Sequence, residues 1–532
     1  MFGVGIGRRP RTRIGLAAVA MGSLIASLTA VSASASTVDQ GANAAPVIQT
    51  AGGAVLGKTA GTVDEFLGVP YAAPPVGALR WQPPQPAARW HGVRDATQFA
   101  PHCAQSPSPF GQATTSEDCL YLNVYTPTNV HQGPKRPVMV WIHGGALVTG
   151  ESNDYDPTQL VADGAVVVTI NYRLGALGFL AHPALAAADG SSGDYGLIDQ
   201  QAALSWVQSN IVHFGGDKHN VTIFGESAGG LSVLSQLVSP RAHGLFDRAI
   251  VESGAYALST TSLAAAESAG ESFATQVGCA DQTAACLRGV PVATILANQN
   301  AAGYTPNVDG DVLTQSIKPA LVSGQFNRVP VVNGSNHDEW RLFVALSALQ
   351  GAPVTAANYP AMISSTLGVP PAVAAAIAAL YPLSAFPSPS EALGAVGTDA
   401  IFACPALTVD QSVSNYVPTF AYEFNDENAP QLFLPPVGFP YGAAHASEIQ
   451  YLFGLTAAFP ATLTAAQRQL ASAMRAYWTT FARFGFPSSP SVPPWPNFTT
   501  ASQRMESLTP PTPQAETDFA AVHKCAFWAL GG

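Results

Sequence analysis

Val221-Thr222-Ile223-Phe224-Gly225-Glu226-Ser227-Ala228-Gly229-Gly230 joins a β-rich run to a segment of small residues that opens a helix, and a G-x-S-x-G pattern spans the join. A serine in that pattern stands on a sharp, strained strand-to-helix turn. Gly225 and Gly229 leave the backbone room to fold back, which carries the hydroxyl of Ser227 to the tip. From there a weak nucleophile can meet both a base and a carbonyl carbon. The stretch points to covalent acyl transfer, provided that the rest of the chain supplies the partners.

Working outward, Pro137-Val138-Met139-Val140-Trp141-Ile142-His143 and Ala165-Val166-Val167-Val168-Thr169-Ile170-Asn171-Tyr172 are continuous apolar runs. Runs of this kind suit strands buried on both faces of a parallel sheet. Residues 199–210 have helical spacing ahead of the serine strand, and 249–253 and 329–333 read as further strands. Gly-punctuated β character over 47–63, closed by 66–71, predicts an N-terminal antiparallel sheet region. The Ala-rich stretches 263–268 and 372–379 read as surface or packing helices. The alternation indicates an α/β fold, a large and mostly parallel sheet flanked by helices, with its site beyond the carboxyl ends of the strands. No internal repeat or linker divides residues 36–532, which read as one domain.

The chain has 532 residues, 47% of them hydrophobic and only 11% charged, with 48 Gly and 43 Pro. That composition describes a large core joined by many turns and argues against disorder. Residues 1–35 read as a secretory signal peptide. Arg8, Arg9, Arg11 and Arg13 form a basic head, an apolar run follows from Ile14 to about Val31, and Ala33-Ser34-Ala35 makes a small-x-small cleavage pattern. A membrane anchor is the alternative reading, and Arg8-Arg9 also allows a twin-arginine route. No other long apolar span is evident, so no transmembrane anchor is expected after cleavage, and the protein is expected to be secreted. The formal charge of −11 includes those four arginines, and losing them makes the mature chain more acidic still. An acidic chain without a basic cluster is a poor partner for nucleic acid or an anionic membrane. Six cysteines in an exported chain suggest three disulfides, with fifteen connectivities possible. Pairing Cys103 with Cys119 and Cys279 with Cys286 is simplest by proximity, which leaves Cys404 and Cys525. None of the six has metal-ligand spacing, so neither a metal nor another cofactor is expected.

By these residues the chain resembles the type-B carboxylesterases, the cholinesterase-like branch of the α/β-hydrolases. The resemblance runs from Gly68-Val69-Pro70-Tyr71-Ala72 through Ser116-Glu117-Asp118-Cys119-Leu120-Tyr121-Leu122-Asn123, Asn171-Tyr172-Arg173, Phe214-Gly215-Gly216-Asp217 and the serine motif to Cys525-Ala526-Phe527-Trp528. It implies a Ser…Glu…His triad in that chain order. Asn336-His337-Asp338-Glu339 matches the acid segment and puts the acid at Glu339, with Asp338 beside it and Asp309 or Asp311 open on the sequence alone. Two histidines follow: His445, in Gly442-Ala443-Ala444-His445-Ala446-Ser447-Glu448-Ile449, fits the histidine loop, whereas His523 reads as a structural or surface residue. His143-Gly144-Gly145-Ala146 matches the oxyanion element, which implies backbone donors at Gly144, Gly145 and Ala228. Glu226, Ser253 and Glu448 match positions of a polar network supporting the histidine, and Arg173 with Asp199 and Arg80 with Glu117 match structural ion pairs. The implied disulfides are Cys103–Cys119, Cys279–Cys286 and Cys404–Cys525.

The resemblance thus implies hydrolysis of a small-molecule carboxylic ester by water through an acyl-enzyme. Relatives that act on choline esters carry a tryptophan in the first disulfide loop, which binds the ammonium by cation–π attraction. The loop from Ala104 to Asp118 has Phe110 and no tryptophan, so choline esters are not expected. It is also short beside the apolar flap of lipases. Small residues at 301–303 suggest a roomy acyl pocket and broad or short-to-medium acyl esters. Two other readings stand beside this one. The same machinery could cleave amides, carbamates or polyesters, and this fold also has non-catalytic binding members, which typically lack a triad residue.

Overall fold

A computed structural model describes residues 45–128, 133–186, 192–300, 304–456 and 462–529. The signal segment expected over 1–35 lies outside the described residues, as do the small residues 301–303.

Among the described residues, eleven strands build the central sheet. In chain order they are β1 (Lys58–Ala60), β2 (Val63–Pro70), β3 (Tyr121–Pro127), β4 (Arg136–Ile142), β5 (Val166–Ile170), β6 (Gly216–Glu226), β7 (Arg248–Glu252), β8 (Val331–Asn336), β9 (Thr419–Phe424), β10 (Met505–Leu508) and β11 (Gln514–Glu516). The spatial order is β11-β10-β9-β8-β7-β6-β4-β5-β3-β2-β1. From β10 to β5 all neighbours are parallel, and antiparallel strands close both edges. The apolar runs explain the centre. All of β5, and β4 from Pro137 onward, are buried, and their Val and Ile side chains suit a pleated surface covered on both faces.

The N-terminal β region divides in two. Val47–Gln49, Ala54–Leu56 and Val93–Asp95 form a separate three-stranded sheet, while β1 and β2 extend the main one. The N-terminal region expected from sequence is thus divided between two sheets, with antiparallel pairing in both.

Helix α1 (Tyr195–Asn210) precedes the serine strand, and α2 (Ala228–Val238) follows it, buried along its whole length. Two later helices matter to the site. Helix α3 (Arg341–Leu349) follows the Glu339 turn, and α4 (Cys404–Val413) carries one half of a disulfide. The 20-residue α5 (Ala465–Phe484) starts from a capping box of Thr464 and Gln467 and turns Met474, Tyr477, Trp478 and Phe481 inward. The Ala-rich stretches lie in the largely exposed helices Leu263–Gln276 and Pro371–Leu380.

One helical run, Pro389–Val413, is long and apolar enough to cross a membrane, which the sequence reading overlooked. Most of it is buried inside the fold, as a core helix would be.

Candidate active site

Strand β6 delivers Ser227 at the head of α2 with φ 57° and ψ −120°, a region that side-chain-bearing residues rarely occupy. Its N–H donates to the carbonyl of Glu252 at 2.9 Å. The glycines on either side show what compels the turn. A Cβ on Gly229 would stand 1.9 Å from the carbonyl oxygen of Ile142, and one on Gly225 would stand 2.5 Å from the same atom. The start of α2 therefore rests directly on the end of β4, with no room for a side chain between them.

Beyond Ile142, β4 runs into His143-Gly144-Gly145-Ala146. Gly145 and Ala146 have φ of 99° and 55°. A Cβ on Gly144 would lie 3.1 Å from Cβ of Ser227, so this peptide passes against the serine. Ala228 is on the serine's other side, in the first turn of α2, where N–H groups have no intrahelical acceptor. His143 braces the loop. It stacks on Tyr172 with ring centroids 4.5 Å apart, and its carbonyl accepts the Tyr172 hydroxyl at 2.7 Å. Its Nδ1 donates to the Gly144 carbonyl at 2.9 Å. Burial pushes this imidazole down to about 4, so it stays neutral.

At the carboxyl end of β8 the chain turns through His337-Asp338-Glu339. Glu339 is fully buried; its Oε1 accepts the Asn336 N–H at 2.8 Å and its Oε2 accepts Nδ1–H of His445 at 2.5 Å. The other candidate acids face elsewhere. Asp338 accepts the Ala443 N–H at 3.0 Å and pairs with Arg341 at 2.8 Å. Asp309 accepts the N–H groups of Asp311, Val312 and Leu313, and Asp311 pairs with Arg241.

One link of the expected relay is not formed. Nε2 of His445 is buried without a hydrogen-bond partner, so Ser227 Oγ is not bonded to it. The nitrogen lies 3.2 Å from Oε1 of Glu226. Contacts of this kind are often long in unliganded sites and tighten with substrate.

Three buried glutamates, Glu226, Glu339 and Glu448, crowd the imidazole, and a fourth, Glu252, lies beside Glu226. Glu226 and Glu252 lie side by side on β6 and β7, where Glu252 accepts the Trp478 indole N–H at 2.9 Å. Glu448 accepts the Asn336 side-chain amide at 2.5 Å. Burial raises Glu226 well above the carboxylate range, Glu252 to about 8 and Glu448 to about 7. Burial presses His445 the other way, but the carboxylates of Glu226, Glu339 and Glu448 outweigh it and hold the imidazole up at about 9. Ser253 contributes through its backbone, with φ 50° and its N–H on the Gly334 carbonyl at 2.9 Å, while its buried Oγ has no partner.

Sequence reasoning missed two residues. The rings of Phe343 and Phe402 flank His445 with centroids 5.3 and 4.9 Å away. Phe343 lies four residues past Glu339, one helical turn on, which is its only sequence signal. Phe402 carries none, because it comes from the distant π-helical segment Thr398–Ala403. The expected ion pairs form, Arg173 with Asp199 at 2.7 Å and Arg80 with Glu117 at 2.5 Å. So do the disulfides Cys103–Cys119, Cys279–Cys286 and Cys404–Cys525.

Comparisons with known proteins bear on this arrangement. Residues 44–528 match the model of the carboxylesterase family. An acylcarnitine hydrolase of Mus musculus is 38% identical over 82% of this chain and 81% of its own. The pyrethroid hydrolase Ces2e of Rattus norvegicus is 36% identical, covering 85% and 84% of the two chains, and a cocaine esterase of Homo sapiens is 35% identical, covering 91% of each. The chain belongs to the carboxylesterase family, with an α/β-hydrolase fold, and is a carboxylic ester hydrolase.

Proposed function

We propose that the chain is an exported serine carboxylesterase working through an acyl-enzyme on Ser227. His445 takes the hydroxyl proton as Oγ attacks the ester carbon, then gives it to the departing alkoxide. Water repeats the cycle to release the acid. Glu339 holds the imidazole tautomer and stabilises the imidazolium. The N–H groups of Gly144, Gly145 and Ala228 receive the oxyanion, and losing one such donor typically costs about 3 kcal/mol of transition-state stabilisation. Glu226 and Glu448 act on His445 electrostatically, each favouring the imidazolium when it is ionised.

The observation that carries this reading is the buried 2.5 Å bond between Glu339 and His445 in a site entered by a serine at positive φ. A fluorophosphonate probe should label Ser227 in the folded protein, and Ser227→Ala should abolish both labelling and ester turnover. Turnover that survives the substitution would overturn the mechanism. A folded protein that neither takes the probe nor turns over any ester would favour a binding role instead.

For substrate, the reading is broad or short-to-medium acyl esters, with choline esters disfavoured. The relatives' names span carnitine, pyrethroid and cocaine esters. Phe110 of the first disulfide loop meets Phe433 at 5.5 Å and packs with Leu342, Leu434 and Ala444, an apolar wall next to His445. Uncharged aryl and alkyl esters should be cleaved with higher kcat/KM than choline esters of the same acid; the reverse order would reject this preference. The basic head, apolar run and Ala33-Ser34-Ala35 support export, and three disulfides suit an oxidising compartment. Sequencing the amino terminus of protein recovered outside the cell tests this, with a start near residue 36 expected.

A further inference from the structure

His523 is only 2% exposed, and three other segments converge on it. Its Nδ1 donates to Asp399 at 2.6 Å, from the π-helical segment, and its Nε2 donates to Glu423 on β9 at 2.6 Å. The ring of His337, from the turn after β8, stands edge-on to it with centroids 5.6 Å apart. One ligand atom each from His337, Glu423 and His523 lies within 4.8 Å of the other two. We propose that His337, Glu423 and His523 bind one divalent transition-metal ion of the zinc class, with Asp399 orienting His523.

Three features point to a ligand rather than to a completed ion cluster. First, the hydrogen-bond accounting is open. Oε1 of Glu516 is buried without a hydrogen bond, near enough for the charges of Glu423 and His523 to act on it, and Nδ1 of His337 has only a 3.3 Å ion-pair contact with Asp338, outside hydrogen-bond geometry. Such atoms ordinarily find a partner in a folded protein. Second, Asp399 on Nδ1 orients His523 as a carboxylate behind a metal-bound imidazole does, and Nε2 is turned toward Glu423, itself a proposed ligand. Third, two buried carboxylates on a single imidazole leave excess negative charge. A divalent cation corrects this by replacing the Nε2 proton of His523, which leaves to solvent as the nitrogen–metal bond forms.

Two imidazoles and a carboxylate suit zinc and its neighbours better than calcium or magnesium, which take oxygen ligands. Ligand-to-metal distances of about 2.0–2.2 Å at tetrahedral angles set ligand atoms about 3.4 Å apart, so His337 must move inward while His523 and Glu423, now 2.6 Å apart, open slightly. The half-buried His337, 28% exposed at its side chain, gives the ion an entry path and leaves a position for solvent. The ion would tie the carboxyl-terminal segment to the turn that carries Glu339.

The test uses the full mature chain, freed of any affinity tag and stripped with a chelator. Co2+ should bind with one-to-one stoichiometry, give the visible absorption of a tetrahedral site, and be displaced by Zn2+. The variant His337→Gln keeps the Asp399–His523–Glu423 arrangement while removing one ligand. It should lose the Co2+ band and weaken Zn2+ binding by about 10-fold or more. Zn2+ should also raise the melting temperature of the parent and not of the variant. Absence of stoichiometric Co2+ or Zn2+ binding in the parent would overturn the proposal, leaving His523 as an imidazolium clamp. Equal binding by His337→Gln would overturn it too, by placing the metal elsewhere.

Discussion

Ser227 and His445 are held by different means, and the difference sets what each substitution should do. The serine is positioned by backbone at φ 57°, whereas the imidazole depends on side chains, above all on Glu339. Glu339→Gln keeps the volume but presents an amide where a carboxylate accepted Nδ1–H. It should lower kcat on the order of 10^4-fold, as loss of the orienting acid does elsewhere, while circular dichroism shows an unchanged fold. A loss below tenfold would remove Glu339 from the mechanism. The pH profile follows from the same cluster. In the proposed mechanism His445 serves as base only when neutral, and the carboxylates raise it from the usual 6.5 to about 9. The ascending limb of kcat/KM therefore falls at a pH above the ordinary histidine value. Because Glu226 lies 3.2 Å from Nε2 and shares that titration, Glu226→Gln should move the limb toward lower pH. A limb near 6.5 in both proteins would show that the buried carboxylates do not reach the histidine.

At the scale of elements, the turn between β6 and α2 is legible in sequence because its requirement is local. Two glycines bracket one serine, and no residue far along the chain is needed to see it. Strands β4 and β5 are legible for a related reason, since burial on both faces writes itself as unbroken apolar runs. Other parts are not written locally. The short strands at the amino terminus pair partly with one another and partly with the main sheet, and each is too brief for its own pattern to choose. The π-helical segment that brings Phe402 to His445 and Asp399 to His523 has an ordinary helical composition. The contact between α2 and β4 gives the elements a test. In Gly229→Ala the new methyl would stand 1.9 Å from the Ile142 carbonyl oxygen, so the helix must move off the strand. A forced shift of this kind costs about 1–3 kcal/mol, readable as a lower urea midpoint. The shift should also displace Ser227 from Gly144 and slow fluorophosphonate labelling more than the stability loss explains. Labelling at the parental rate would show that the helix start and the oxyanion loop are not rigidly coupled.

For the whole molecule, the question is how a site assembled from strand ends stays attached to a tail some eighty residues beyond His445. The tail reaches back through two independent ties. Cys525 is bonded to Cys404 at the start of α4, at a sequence separation of 121, and His523 inserts between Asp399 and Glu423. Asp399 lies in the segment that supplies Phe402 to the imidazole and Cys404 directly follows it, so tail and site share one support. In the chain-entropy account a loop of roughly 100 residues is worth about 4.7 kcal/mol, whereas the short Cys279–Cys286 loop, spanning 7 positions, is worth less. Replacing Cys404 and Cys525 with serine should therefore lower unfolding free energy about twice as much as the same change at Cys279 and Cys286. The tail should become the first site of protease cleavage in the first variant, and kcat should fall with it as Phe402 loses its backing. If the two double variants melt together and the tail stays protected, packing and the His523 ion pairs alone hold the carboxyl terminus, and the long disulfide adds no measurable constraint.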